Sequence, residues 1–553
     1  MNLKKYLLLG GVVLGMGMTS CVDDLDLEPN DPNLVSPSDP DFKTNSLSIC
    51  YSGIAVSGIS GPGSSYVQGL DPGTSAYLRC TYMLSEYPTE EVMFLWGDAF
   101  VPDLVVSTWG AENGIVAGAY NRFIGHIAIC NQFLSNTEGA EDAETQEMRA
   151  QARVLRAYSY YNLLDNFGMS SFITEKAAVG EKPIQVQPDY LFTWLETELK
   201  EIVDNKLISD KPSYGHVGLD GAEALLARLY LNAEDFTGTA RWADCQQRCA
   251  NIIARHQGGG FQSSGLANHY LYLFARDNDA YMPGGSKPAE NEILFGIAYD
   301  ADNTQSYGGS TFVISSCLSD ASNVIDRKEY GAMDGWKCFK GTKQMAEHFD
   351  GIPGDVRRSL WKAGIFTGTD DKGGEWTENH GDEFVGFTGD WNTCGGNIMI
   401  KFTGLNRNAA EDGGFDNKIQ TQFATTDFPI IRLADIYLMW AECYVNGNVG
   451  DLTTALSYVN LIRARAGIPS VGASSLTKRF IVDERSRELY WEGTRRRDLI
   501  RNNYFTGPSQ LIWQFKGSLT DANGTRIDDR YKYYPIPNSV ISAQPEFKQN
   551  PGY

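Results

Sequence analysis

Cys21 is the residue whose setting most directly implies chemistry. Two lysines precede a short apolar run that ends in small residues directly before Cys21. This order predicts a secretory signal peptide over residues 1–20, because the run is shorter than the ~20 apolar residues that span a bilayer. Residues 18–21 (Met-Thr-Ser-Cys) are similar to a bacterial lipobox, so we expect lipidation of Cys21, which would hold the chain to a membrane. A plain signal peptide followed by an incidental cysteine is the alternative.

Side chains that could carry out catalysis are present, but they do not form a catalytic motif. Neither Gly-x-Ser-x-Gly nor His-Glu-x-x-His occurs, and the six histidines are scattered singly along the chain. We therefore expect no catalytic residues and no enzyme activity. A glycoside hydrolase needs only two carboxylates at a set separation, and 69 acidic residues leave a surface hydrolase open as an alternative.

The remaining cysteines and the net charge indicate which metal ions and macromolecules the chain is not expected to bind. Cys245 and Cys249 lie four residues apart in a predicted helix, with no histidine at zinc-ligand spacing, so we expect buried thiols there and no metal site. The formal net charge of −22 argues against nucleic acid, because neutralising phosphates requires lysine and arginine. No phosphate-binding loop precedes a helix, and we expect no cofactor.

Helical periodicity marks both ends of the chain, whereas the middle lacks it. Apolar stripes predict helices over residues 141–167, 217–233, 242–256, 431–445, 452–466 and 476–492. Asp451 is a suitable N-cap and Gly467 a suitable helix stop. Helix pairs of this kind predict a mainly α fold, a tetratricopeptide-like array of helical hairpins.

The chain is predicted to divide into five segments by composition and periodicity. Residues 257–428 are glycine-rich with few long periodic runs, which predicts a long irregular, loop-rich insertion containing little β structure. The full division is a signal peptide (1–20), a flexible tether (21–41), an N-terminal helical half (42–256), the insertion (257–428) and a C-terminal helical segment (429–553).

Charged residues near the C-terminus lie at helical spacing. Glu488 and Glu492 precede Arg495 and Arg496, so ion pairs on a solvated face of the helical scaffold are expected. We assign no binding role to them.

Seven stretches in order resemble the SusD (RagB/SusD) family of outer-membrane nutrient-uptake lipoproteins. They include Arg-Ala-Gln-Ala-Arg-Val-Leu-Arg-Ala-Tyr and the closing Gln-Asn-Pro-Gly-Tyr, and they cover residues 149–158, 224–231, 431–438, 459–467, 484–489, 492–499 and 534–553. The resemblance implies a non-catalytic lipoprotein that captures oligosaccharide or polysaccharide at the cell surface. It also implies attachment to the outer membrane through Cys21 and delivery of the glycan to a SusC-like TonB-dependent transporter. Peptide uptake and a purely structural lid for the transporter are the alternatives within the family.

The same resemblance supplies candidate glycan-binding residues, which lie in three arms of an aromatic arc. Asp71 and Arg79 match one polar arm, and Phe94 and Trp96 follow the turn at residues 86–90; Tyr307, in Tyr-Gly-Gly, and Trp336, in Asp-Gly-Trp, match the other arms. Phe94 stands where the starch-binding member of the family has tryptophan, and alanine occupies position 99 where asparagine is expected. Starch is therefore one possible ligand among several.

Overall fold

The computed structural model describes residues 41–178, 180–319, 327–369, 372–381, 383–386, 393–406 and 421–553. The predicted signal peptide, Cys21 and the tether up to residue 40 lie outside the described residues. The chain divides into two compact units, Met1–Leu47 and Ser48–Tyr553, and the site described below belongs to the second. In the part of the chain that the structure describes, no helix combines the length and the apolar character needed to cross a membrane.

The mainly α fold is confirmed, and the predicted helices are present. The described helices are α1 (Phe42–Ala55), α2 (Tyr77–Ser85), α3 (Val101–Val105), α4 (Gly114–Asn136), α5 (Ala143–Phe167), α6 (Pro188–Asp204), α7 (Leu219–Leu231), α8 (Ala233–Thr237), α9 (Trp242–His256), α10 (Ser310–Ser316), α11 (Lys343–Glu347), α12 (Leu433–Gly447), α13 (Leu452–Arg465), α14 (Lys478–Leu489), α15 (Arg495–Arg501) and α16 (Asn538–Ala543). The longer helices pack successively, α4 on α5, α5 on α6, α6 on α7, α7 on α9 and α9 on α12, which makes a layered array.

The helical hairpin α12–α13 shows how local sequence sets the helix boundaries. Asn448, after α12, adopts a left-handed conformation (φ +53°), and the Asp451 carboxylate accepts a hydrogen bond of 2.9 Å from the Thr454 N–H at the start of α13. Gly467 follows α13 at φ +77°, a conformation that glycine adopts without strain. The predicted N-cap and helix stop are therefore confirmed.

The part of the chain that the structure describes contains four pairs of short antiparallel strands. The strands are β1 (Met93–Phe94), β2 (Ser170–Phe172), β3 (Ile184–Val186), β4 (Ile293–Ile297), β5 (Phe339–Lys340), β6 (Gly364–Thr369), β7 (Glu375–His380) and β8 (Phe428–Arg432). They pair as β1–β5, β2–β3, β4–β8 and β6–β7. The pairs β1–β5 and β4–β8 join the insertion to segments on either side of it.

The interpretation of the C-terminal charges as a solvated face is wrong, because these charges are buried. Glu488 binds Arg432 at 3.1 Å and Arg465 at 2.5 Å, and Glu492 binds Arg432 at 2.7 Å. Arg495 pairs instead with Glu90, more than 400 residues earlier in the chain. Burial alone would raise the pKa of Glu488, but the surrounding guanidinium groups lower it.

The physical reason for the error is that helical spacing reveals only partners on the same helix. The insertion supplies cations, namely Arg357 and Lys401, which approach Glu488 and Glu492 at 3.3 and 2.6 Å. These segments cover a helix face that would otherwise meet water. Arg496 has no carboxylate partner among the described ion pairs, and its guanidinium lies 4.5 Å from the centre of the Tyr534 ring. Cys245 and Cys249 are buried thiols, as predicted.

Candidate functional site

The pairing of β1 with β5 brings together two tryptophans that lie 240 residues apart in the sequence. The ladder continues past β1, where the Leu95 N–H donates to the Cys338 carbonyl at 2.9 Å. Trp96 comes next, and its Nε1–H donates to the Trp336 carbonyl at 3.1 Å. The two indole rings lie 6.3 Å apart at 37° to each other, and both are half-buried. Their exposed parts therefore form one apolar surface.

The loop that carries Trp336 is held by the end of helix α10. Three successive backbone N–H groups donate to carbonyls there, at 2.8 Å (Trp336 to Ser315), 3.0 Å (Lys337 to Leu318) and 2.9 Å (Cys338 to Ser316). These bonds hold the backbone that carries the Trp336 ring, and the ring itself packs against Phe312 and Trp96.

Two buried phenylalanines lie beneath the tryptophans. Phe94 is 1% exposed, and its ring lies 5.6 Å from Trp96 and stacks at 4.7 Å on Tyr87. Phe312 is fully buried and lies 6.3 Å from Trp336. A buried ring offers no face to a ligand, so the structure places Phe94 as a support for Trp96 and not on the surface.

The polar candidates Asp71 and Arg79 meet Tyr307 around Gly73. A Cβ atom placed on Gly73 would lie 3.1 Å from the Asp71 carboxylate, 3.1 Å from Cβ of Tyr307 and 3.4 Å from Nη1 of Arg79. Gly308 makes this approach possible, because a Cβ on it would lie 2.0 Å from the Gly73 carbonyl oxygen. The glycine after Tyr307 is therefore required for close contact between the two chain segments.

Arg79 connects the residues around Gly73 to the two tryptophans. Its guanidinium lies 4.3 Å from the centre of the Phe312 ring, a cation–π contact, and the residue is 4% exposed. Since Phe312 also contacts Trp336, the exposed rings and polar groups share one buried base. We call Asp71, Trp96, Tyr307 and Trp336 the aromatic patch; Arg79, like Phe94, is buried and supports it.

Two further side chains at this patch had no signal in the sequence. The Gln422 side-chain amide donates to the Tyr307 hydroxyl at 3.0 Å, and the Phe423 ring lies 5.0 Å from the Tyr307 ring. Gln422 is exposed and Phe423 is buried. They reach Tyr307 from a segment that follows it by more than 100 residues, and no short motif surrounds them.

Buried carboxyl groups fix the turn that precedes β1. The Glu86 carboxylate accepts from the Gly493 N–H at 2.6 Å, and the Glu91 carboxylate accepts from the Ser486 hydroxyl at 2.7 Å and the Trp491 N–H at 3.2 Å. Burial raises the pKa of Glu91 above its ordinary value. These bonds anchor the segment leading to Trp96 to the C-terminal part of the fold.

A separate concave site lies between the ends of α7 and α9. It has a volume of about 680 Å³ and is lined by Asp220, Arg255 and His256 together with glycine-rich loops, but by no phenylalanine, tyrosine or tryptophan. The three side chains already bind one another, with His256 Nε2 at 2.9 Å from Asp220. No group of three or more metal-ligating side chains occurs within the described ranges. The aromatic patch is therefore the better candidate for ligand binding.

Comparison with known proteins agrees with the sequence resemblance. The model of the SusD family matches residues 291–553. Starch-binding protein SusD of Bacteroides thetaiotaomicron is 30% identical over 571 aligned residues, which cover 98% of this chain and 97% of that protein. SusD-like protein P2 of Formosa agariphila is 26% identical over 81% of this chain and 82% of its own length.

Solved structures share the fold at low sequence identity. A SusD superfamily protein from Bacteroides thetaiotaomicron has a TM-score of 0.66 at 19% identity, covering 94% of this chain and 100% of that structure. Surface glycan-binding protein A from Bacteroides uniformis has a TM-score of 0.65 at 16% identity, covering 92% of this chain and 99% of that structure. These likenesses support the fold.

Proposed function

The chain belongs to the SusD family, and we propose that it binds oligosaccharide or polysaccharide through the aromatic patch without chemically changing it. Relatives of similar length are named as starch-binding or surface glycan-binding proteins, which supports this class of ligand. Sugars present apolar ring faces and polar rims. A receptor for them needs exposed aromatic rings flanked by a few hydrogen-bonding groups, and the patch offers both.

The observation that carries the proposal is the Trp96–Trp336 pair. Both rings are half-buried, the Trp96 indole donates to the Trp336 carbonyl, the Trp336 backbone is bonded to Ser315, and the exposed Asp71 carboxylate belongs to the same patch. An apolar surface of two neighbouring rings beside a carboxylate suits a sugar, which presents an apolar ring face and a polar rim.

The charge of the chain favours a neutral glycan. A formal net charge of −22 repels sulfated or uronate-rich chains over distances of about one Debye length, ~8 Å at physiological salt. Arg79 is largely buried against Phe312, so its charge does little to attract an anionic chain from solution. We therefore expect uncharged polysaccharides to bind more tightly than acidic ones.

Attachment and delivery complete the proposal. Lipidated Cys21 would hold the protein on the outer membrane, and a SusC-like TonB-dependent transporter would receive the glycan. Intact-mass analysis of membrane-purified protein tests the anchor, since an unacylated N-terminus would contradict it. Co-purification of an outer-membrane transporter with the tagged protein tests the partner, and its absence after mild detergent extraction would count against delivery.

Native affinity electrophoresis tests the ligand class. The gels contain starch, pullulan, dextran, xylan, galactomannan or inulin, and we expect at least one to retard the unsubstituted protein. W336A removes one ring of the pair; losing ~50 Å² of apolar contact at ~25 cal/mol per Å² corresponds to a loss of affinity of about tenfold. Y190A, which removes an exposed ring on α6, is the matched control and should leave retardation unchanged.

Two outcomes of this experiment would contradict the proposal. One is the absence of retardation by every polysaccharide, and the other is equal retardation of the W336A and Y190A variants. Release of reducing ends from the retained polysaccharide would show hydrolysis, and we expect none.

A further inference from the structure

We propose that Trp376, together with Lys337, forms an additional subsite that extends the aromatic patch beyond Trp336 along the same glycan chain. The inference rests on the proposed function of the patch. It concerns the hairpin β6–β7, which the sequence comparison with the family did not connect with binding.

The hairpin has one face turned to the body of the protein and one to solvent. Along β7, Trp376 is half-buried and Glu378 and His380 are buried, whereas the intervening Thr377 is exposed. On β6, Ile365 is 72% exposed. Alternate residues of a strand point to opposite faces, so Trp376 lies on the inner face, at the end where that face becomes accessible to solvent.

A chain of hydrogen bonds fixes the inner face of the hairpin. Glu378 accepts from Ser319 at 2.5 Å and from the Trp376 Nε1–H at 2.9 Å, and His380 Nε2 lies 2.7 Å from the same carboxylate. The Lys340 ammonium contacts His380 from strand β5. The indole is therefore held in one orientation with its only polar atom satisfied, which leaves an apolar ring already ordered for stacking.

Lys337 connects this ring to the tryptophan pair. Its ammonium lies 5.2 Å from the centre of the Trp376 ring, and its backbone directly follows Trp336. By continuation of the β1–β5 register, Lys337 stands opposite Trp96. The Lys337 side chain therefore extends from the residue next to Trp336 to the ring on the hairpin.

The backbone of Lys337 also points to a role for its side chain. It adopts φ +51°, in the left-handed region that glycine occupies without strain and that other residues rarely adopt. The backbone N–H groups of Trp336 and Lys337 both donate to carbonyls at the end of α10, and these bonds hold Lys337 in this conformation. It directs the lysine towards the hairpin, where an ammonium can donate hydrogen bonds to sugar hydroxyls.

The test compares short and long fragments of one glycan. The probes are three-unit and seven-unit oligosaccharides prepared from the polysaccharide that retards the unsubstituted protein, and binding is measured by isothermal titration calorimetry. For the unsubstituted protein we expect the seven-unit fragment to bind about tenfold more tightly than the three-unit fragment, and W376A should reduce this gain to about threefold or less. The Kd of the three-unit fragment should stay within about twofold in W376A.

Two further variants separate binding from a structural role of Trp376. W376F keeps an aromatic ring but removes the donor to Glu378, so it should restore most of the length-dependent gain if stacking matters. I365A changes an exposed side chain on the outer face of the same hairpin and should bind both fragments normally. Circular dichroism spectra and Tm values verify that all variants are folded.

The possible results distinguish this inference from the function on which it rests. If W376A changes neither Kd, or weakens both fragments equally, while W336A still weakens both, the subsite is refuted and the patch stands. If W376F behaves as W376A, the indole serves to hold Glu378 and the subsite is again refuted. If no polysaccharide retards the unsubstituted protein, both the proposed function and the subsite are refuted.

Discussion

Replacement of Arg432 by methionine would test whether buried ion pairs hold the insertion against the helical array. The Arg432 guanidinium is fully buried and binds Glu292 at 2.6 Å, Glu492 at 2.7 Å and Glu488 at 3.1 Å. Methionine fills similar volume but leaves those carboxylates with one cation fewer. Removing one partner of a buried ion pair costs roughly 3–5 kcal/mol of the free energy of unfolding, because charge remains buried without compensation.

The neighbouring cations set the magnitude within that range. Arg465 also binds Glu292 and Glu488, Arg357 binds Glu488 at 3.3 Å, and Lys401 binds Glu492 at 2.6 Å, so R432M leaves each carboxylate at least one other cation. We therefore expect the lower end, about 3 kcal/mol. The double variant R432M/E292Q leaves Arg465 with Glu488 and Lys401 with Glu492, and it should recover roughly 1–2 kcal/mol of that loss.

Urea unfolding followed by circular dichroism provides the assay, with the shift in midpoint compared between variants of equal slope. K200M is the matched control, because the Lys200–Asp204 pair lies on an exposed helix surface with Lys200 42% exposed. Its effect should stay below about 0.5 kcal/mol. Two results would refute uncompensated charge as the cause. One is a loss of less than about 1 kcal/mol in the free energy of unfolding of R432M, and the other is a double variant that is less stable than R432M.

Three further outcomes are expected. Burial raises the pKa of Asp427 from 3.8 to about 7, so the folded state binds a proton more tightly than the unfolded state does. The free energy of unfolding should therefore fall by on the order of 4 kcal/mol as the pH rises from about 4 to about 7. D427N should remove this component from urea midpoints measured at pH 5 and pH 7.5. G73A should displace Asp71 or Tyr307 and weaken retardation by the retained polysaccharide several-fold, whereas G63A, with open space around it, should not. G308A meets the Gly73 backbone and should lower Tm as well as binding, as thermal scans would show.

The helical array was predictable because its signals are local. The helix over Trp242–His256 agrees with its predicted limits, and Ala143–Phe167, with its Asp142 cap, lies within two residues of the predicted 141–167. Caps and periodicity depend on residues within a few positions of each other. One sequence therefore contains enough information to place them.

The environment of the charged residues was not predictable in the same way. Glu488 and Glu492 show the spacing of a surface helix, but Arg357 and Lys401 come from the insertion and bury them. Burial of a helix face depends on segments far away in sequence. The spacing of residues along the helix therefore does not indicate which segments will cover it. The same limit explains Phe94, whose ring is covered by Tyr87 and Phe339 although its position suggested a surface arm.

The site depends on loops and short strands and not on the helical array. Trp96 and Trp336 are placed by a two-residue strand pair and by three backbone hydrogen bonds from the end of α10. Tyr307 is placed by the close approach of Gly308 to Gly73. Changes in these short segments could alter ring spacing while leaving the packing of the helices intact, because loops tolerate substitution better than packed elements do. Under the proposed function, loop residues would therefore determine which glycan binds, and variants of Trp336 and Trp376 would test this more directly than variants of the helical array.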